Sequence, residues 1–244
     1  MPNEAFQTVD KRNRRAGLCA LAIAAAAVPA LIALGTAVWD DRKFYIVSLL
    51  IIAVSMVPFV FRFERRKPGA RELVLLASMI AIGVAARAAF YMAPQFKPMV
   101  AIAIITGIAF GAESGFIAGA MIAFVSNFIF GQGPWTPWQM EAAGLLGLLG
   151  GLLFHRKNGE LPNLIALCVF GGLGTLVIYG LIVDTSTVFT TQSKITWQAL
   201  TAAYASGLVM NVIHAAATVV FLLLLARPML KKLNKIRVKY GLME

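Results

Sequence analysis

The chain has 244 residues, of which 59% are hydrophobic and 14% are charged, and its mean hydropathy is +0.79. This is more apolar surface than a single soluble core of that size can bury, so the composition excludes an ordinary water-soluble domain and predicts a polytopic membrane protein. The formal net charge of +11 does not indicate a nucleic-acid partner, because the basic residues are divided among the ends of apolar segments, where anionic lipid headgroups of the bilayer would meet them.

Eight apolar segments of helical character follow one another along the chain. A helix needs roughly 20 residues to cross about 30 Å of hydrocarbon, and it pairs all of its backbone polar groups internally. Segments four and five are short, and they form either a tight hairpin turning at 111–115 or two half-helices from opposite sides; the charge pattern favours the hairpin. The segments are Ala16–Trp39, Phe44–Phe61, Glu72–Met92, Met99–Phe110, Phe116–Phe130, Gln139–Phe154, Leu164–Val183 and Leu200–Ala226.

The basic residues predict the orientation of these helices. With the N-terminus inside, 17 of the 22 lysines and arginines fall in inner segments, four fall in outer loops, and Arg87 lies within the third helix. Cytoplasmic loops carry such an excess of basic residues. Both termini are therefore predicted to be cytoplasmic, in a multi-pass protein of the cell (cytoplasmic) membrane.

A basic segment, RFERRKPGAR, separates the first two helices from the other six. The polar and aromatic residues of the six-helix part are concentrated in predicted outer loops at 93–98, 131–138 and 184–199, so the residues able to carry chemistry lie at one face. The predicted organisation is a cytoplasmic tail with two transmembrane helices at 1–61, a linker at 62–71, a six-helix core at 72–226 and a basic tail at 227–244.

The third segment carries small residues at four-residue spacing, Ala77, Ala81 and Ala85. Such spacing leaves a flat groove on one helix face that lets another helix approach closely. The groove serves either packing within the bundle or docking of a partner. The same spacing recurs in the first segment, at Ala22, Ala26 and Ala30.

Polar side chains inside apolar segments are the candidates for binding a solute. Arg87 must snorkel, pair or face a cavity, because a guanidinium in lipid costs about 3 kcal/mol or more. Neutral amides and hydroxyls can hydrogen-bond a solute without burying a charge. No nucleophile and base, metal-ligand cluster or phosphate-binding glycine loop is evident, so we predict no enzyme activity, no metal site and no ATP hydrolysis by this chain. The neutral candidates are Asn127, Gln132, Gln139, Tyr204, Asn211 and His214.

Three stretches resemble the substrate-binding S components of energy-coupling factor (ECF) vitamin transporters: LLASMIAIGVAARAAFYM, the segment from PQFKP to GQGPWTPWQM, and GLLGLLGGLLF. The likeness covers about 155 residues from Glu72 onward, and the pattern is most similar to S components for cobalamin. The fold implied is a six-helix S-component-like core, here preceded by two extra transmembrane helices. A ring-bearing micronutrient such as a queuosine precursor is an alternative cargo, and an ATP-independent facilitator is an alternative function.

The resemblance implies a subunit that captures a vitamin at the outer face and delivers it through a membrane T component and two ATPases, which use the ATP. It places the T-component interface on Ala77, Ala81 and Ala85. It also places the loop around Trp135 and Trp138 at the cargo site, where their rings, two glutamine amides and two stiffening prolines would meet the solute. An aromatic belt at the headgroups is the alternative. The implied substrate-binding residues are Arg87, Gln95, Phe96, Lys97, Asn127, Gln132, Trp135, Trp138, Gln139, Trp197, Tyr204 and Asn211.

Overall fold

The computed structural model describes residues 69–155, 159–192 and 195–240, together with five residues between 56 and 64. The predicted helix Ala16–Trp39, most of Phe44–Phe61 and the alanine repeat in the first of these lie outside the described residues. All regular structure in the described part is helical, as expected for an all-α membrane protein. Its helices are α1 Ala70–Ala89, α2 Met99–Phe110, α3 Ala112–Phe130, α4 Thr136–Phe154, α5 Leu164–Thr191 and α6 Trp197–Tyr240.

Four of these helices, α1, α3, α5 and α6, are long and apolar enough to cross a membrane. Helix α2 is different, because its 12 residues extend only about 18 Å and every one of them is buried. It packs against α1, α3, α4 and α6 and forms the centre of the bundle. An uncharged segment without a polar face can occupy such a position, since other helices surround it on all sides.

Helices α2 and α3 form the hairpin that the sequence favours, but its turn is much shorter than the predicted 111–115. Gly111 alone separates the two helices, with a φ of 95° that favours glycine over residues with a side chain. Helix α3 begins at Ala112, four residues before the predicted start at Phe116. The correction follows from the glycine, since one residue in this conformation is enough to end α2 and start α3.

Helices α2, α3 and α4 approach one another closely through glycines. A Cβ atom added at Gly151 of α4 would lie 2.6 Å from Ala112 Cα and 2.8 Å from Gly107 O. One added at Gly115 of α3 would lie 2.6 Å from Gly147 C. Contacts of this kind leave no room for a side chain. Gly147 and Gly151 of α4 therefore serve packing within the bundle.

Several predicted helix ends are wrong because residues typical of turns are accommodated inside helices. Helix α4 starts at Thr136, and Pro137 lies in its first turn, where the missing N–H has no partner to lose. Helix α5 runs to Thr191, and within it the hydroxyls of Thr185 and Thr190 donate to backbone carbonyls four residues back, at 2.6 and 2.8 Å. Helix α6 continues to Tyr240, well beyond the predicted end at 226.

Candidate functional site

Arg87 lies near the end of α1 and is 6% exposed. Its Nη1 donates hydrogen bonds to Ser126 Oγ and, at 2.8 Å, to Asn127 Oδ1 on α3. Its guanidinium also lies 4.5 Å from the ring centroid of Phe130. Of the three expectations for this residue, pairing describes what the structure shows, and its partners are polar groups of a neighbouring helix. The end of the bundle at which it lies is called the Arg87 end below.

The hydrogen bonds continue from Asn127 to the start of α4. Asn127 Nδ2 donates to Thr136 Oγ1 at 3.0 Å and to Gln139 Oε1 at 2.9 Å. Thr136 Oγ1 donates in turn to Gln132 Oε1 at 2.9 Å, and Gln132 Nε2 donates to Phe124 O at 2.9 Å. The Arg87 network, made of Arg87, Ser126, Asn127, Gln132, Thr136 and Gln139, therefore joins α1, α3 and α4.

Lys97 lies beside this network, in the loop between α1 and α2. Its Nζ donates to Ala93 O at 3.0 Å and lies 4.8 Å from the ring centroid of Phe130, the ring that Arg87 also covers. Burial, and to a lesser extent the charge of Arg87, lower the pKa of Lys97 from its ordinary value. Gln95 is exposed and has a φ of 53°, the left-handed conformation that turns this loop back on itself.

Aromatic rings border the two cations. Phe96 packs against Phe90, the residue after α1, at 6.1 Å and against Phe221 of α6 at 5.5 Å between ring centroids. Phe90 and Phe221 meet edge to face at 5.1 Å. This places Phe96, a predicted substrate residue, in an aromatic cluster that links α1 and α6.

The two predicted loop tryptophans have different environments. Trp138 lies within α4, is 4% exposed and packs against Phe189 of α5 at 5.4 Å between ring centroids. Its Nε1 is buried without an acceptor among the described residues. Trp135 precedes α4 and is 42% exposed. The expectation that both lie in an outer loop is therefore wrong for Trp138, because α4 begins two residues before it.

The candidates on α6 interact mainly with α5. Asn211 Nδ2 donates to Asp184 Oδ2 at 2.7 Å, and the Tyr204 hydroxyl lies 2.9 Å from Thr185 Oγ1. Trp197, at the start of α6, is 80% exposed. The structure does not bring these three side chains into the Arg87 network, so their assignment to the cargo site stays a prediction.

Tyr179 and His214 are two buried rings that the implied substrate-binding residues leave out, although His214 is among the polar candidates of the apolar segments. They meet edge to face at 4.7 Å between centroids. Tyr179 ends a π-helical turn, Thr175–Tyr179, and such widened turns are frequent at functional sites. Arg87 and Lys97 both lie within electrostatic range of His214. The spacing of residues in an ordinary helix does not show where such a widened turn occurs. Ser126, by contrast, can be found from the sequence, because it is a second polar residue beside Asn127 in an apolar helix.

Asn127→Leu is expected to lower the thermal unfolding midpoint of the purified chain. The substitution keeps a similar volume, but it leaves buried polar partners on α1 and α4 without a hydrogen bond. Each such group lowers the free energy of unfolding by about 1–3 kcal/mol. Gln198→Leu is the matched control, because Gln198 is exposed on α6, and its midpoint should equal that of the wild type. Equal midpoints for the two variants would show that the network does not stabilise this end of the bundle.

A family model described as the S component of an ECF-type riboflavin transporter matches residues 69–234. The match runs from the residue before α1 into the last third of α6, and it covers more than half of the chain. Searches of curated proteins and of solved structures gave no significant match. The chain therefore belongs to the family of S components of ECF-type riboflavin transporters.

Proposed function

We propose that the chain captures a ring-bearing micronutrient at the Arg87 end of the bundle and delivers it to the cytoplasm through an ECF T component and two ATPases. The observation that carries the proposal is the convergence of the Arg87 network, Lys97 and a cluster of aromatic rings. Apolar walls with a few fixed polar groups are typical of sites for small molecules. Membership of the family makes the chain a transporter's binding subunit and not an enzyme.

Two cargo candidates follow from different evidence. The family description names riboflavin, whereas the sequence motifs resemble S components for cobalamin. The family match supports an S component but does not support the cobalamin specificity. Riboflavin is therefore a candidate cargo on the same footing as cobalamin. Both cargoes present a large conjugated ring system, which suits aromatic walls.

The proposed dock for the T component is the alanine face, Ala77, Ala81 and Ala85. All three residues are exposed, while the buried residues of α1 lie on its other side. This exposure favours partner docking over packing within the described part of the bundle. A T component would bring its own helix against the flat face.

Substitutions of the two tryptophans test the proposed cargo site. Trp135→Ala is expected to leave the thermal midpoint of the purified chain nearly unchanged and to abolish the shift caused by cargo, because the exposed ring contacts the solute. Trp138→Ala is expected to lower the midpoint without ligand, since truncating a buried tryptophan costs about 3–5 kcal/mol. Thermal-shift panels that include riboflavin and cobalamin measure both effects.

Tyr240→Ala is the control for removing an exposed aromatic ring, because Tyr240 is 45% exposed and lies near Arg71, at the opposite end of α1 from Arg87. A cargo shift that persists in Trp135→Ala would move the site away from the start of α4. The absence of any shift in the wild type, with every compound of the panel, would contradict the binding function itself.

A further inference from the structure

The cations at the Arg87 end have no anionic partner among the described residues. Arg87 donates to the neutral groups of Ser126 and Asn127, and no described carboxylate pairs with it. A guanidinium at membrane depth costs about 3 kcal/mol or more on insertion scales, and an aromatic face such as that of Phe130 offsets only part of this. Among the described residues, the buried charge of Arg87 therefore has hydrogen bonds and a ring contact but no counterion.

Lys97 adds a second positive charge at the same place. Both cationic groups lie within 5 Å of the ring centroid of Phe130. Like charges repel when they approach. Holding two of them around one ring is unfavourable unless a negative group joins them.

The same region contains buried nitrogens without acceptors. Arg87 Nε and His214 Nε2 have no hydrogen-bond partner among the described residues, and both are buried. The guanidinium nitrogen is always a donor, and the imidazole nitrogen is a donor in one of its neutral tautomers. The cluster thus offers positive charge and unused donors, a set that complements a group rich in acceptor oxygens.

We propose that Arg87 and Lys97 bind a phosphate group carried by the micronutrient. This inference rests on the proposed function and assigns the cargo to phosphate esters. Arginine presents a planar fork of donors that fits phosphate oxygens, and lysine adds a point charge. A lipid headgroup offers the same chemistry, but Arg87 is only 6% exposed, which places it inside the protein and not at the lipid surface.

Ligand pairs that differ by one phosphate test the proposal. The full chain, purified in a maltoside detergent and a phosphate-free buffer, is titrated calorimetrically with riboflavin and riboflavin 5′-phosphate, and with cobinamide and cobinamide phosphate. In at least one pair the phosphorylated compound is expected to bind more tightly, on the order of 10- to 100-fold, the range of charge-assisted hydrogen bonds.

Two variants show whether the preference comes from this cluster. Arg87→Gln removes the charge. Asn127→Asp keeps the shape and places a carboxylate where Asn127 Oδ1 now lies, 2.8 Å from Arg87 Nη1. This internal counterion would compete with phosphate even if Arg87→Gln failed to fold. Both variants are expected to bind the two members of a pair equally.

The possible outcomes separate the inference from the proposed function. Equal binding of both members by the wild type, or a preference that persists in both variants, would overturn the phosphate assignment and leave the binding function standing. Binding of none of the four compounds would overturn the assignment, and failure of the wider vitamin panel would in addition overturn the proposed function. A short-chain phospholipid that displaces the bound ester would reassign the cluster to headgroups.

Discussion

Ala81→Leu is expected to abolish ATP-driven uptake while leaving the affinity of the purified chain for its cargo unchanged. Ala81 is the middle residue of the exposed alanine face on α1. A leucine there adds three carbon atoms at the proposed contact, and overpacking a helix contact costs about 1–3 kcal/mol. Uptake of labelled cargo by cells that also produce the T component and the ATPases should fall on the order of 10- to 100-fold.

Ala216→Leu is the matched control for this variant. Ala216 is also exposed, but it lies on α6, outside the proposed dock. The added volume is the same, so a general effect of bulk on membrane insertion would appear in both variants. Uptake that survives Ala81→Leu and also persists in cells lacking the T component would favour the ATP-independent facilitator.

Helix α1 carries both the proposed dock and the cation of the candidate site. Ala85 and Arg87 are two positions apart, and so point in directions that differ by about 200°. Accordingly Ala85 is exposed whereas Arg87 is buried against α3. In the proposed function, a movement of α1 against the T component would also move Arg87, and this would connect docking to release of the cargo.

The sequence predicts the helical core well where the ends carry unambiguous signals. Met99–Phe110 is predicted to the residue, because Pro98 and Gly111 limit it on both sides. The start of α4 and the end of α5 are predicted wrongly, since Pro137 in a first turn and hydroxyls bonded to helix carbonyls look like loop residues in a sequence. Local composition does not reveal that these groups have partners within the helix.

The candidate site is predicted only in part, because the sequence shows its polar residues but not which residues become partners. Arg87, Asn127, Gln132 and Gln139 are polar residues in or beside apolar helices, and the structure joins them in one network. The partnership of Tyr179 with a ring on α6 could not be predicted. It depends on a π-helical turn that shifts the register of α5 by one residue. Gly174 and Gly180 flank this turn, but glycines also occur elsewhere in α5 and so do not mark the shift.

Gly151→Ala is expected to cause a large loss of stability for a single added carbon atom. The new Cβ would lie 2.6 Å from Ala112 Cα and 2.7 Å from Ala112 N, distances at which something must move. These atoms belong to backbone beside the tight turn at Gly111, so they cannot rotate away as a side chain would. Overpacking of about 1–3 kcal/mol predicts a fall of roughly 2 to 12 °C in the thermal midpoint of a chain of this size.

Gly69→Ala separates this steric effect from the intrinsic effect of replacing glycine. A Cβ at Gly69 would meet nothing within 4 Å, and its φ of −67° is accessible to alanine. Its midpoint should match that of the wild type when unfolding in detergent is followed by tryptophan fluorescence. A Gly151→Ala midpoint as high as that of Gly69→Ala would show that α4 can move away from the α2–α3 turn without cost. The glycine contacts would then not determine how closely the three helices pack.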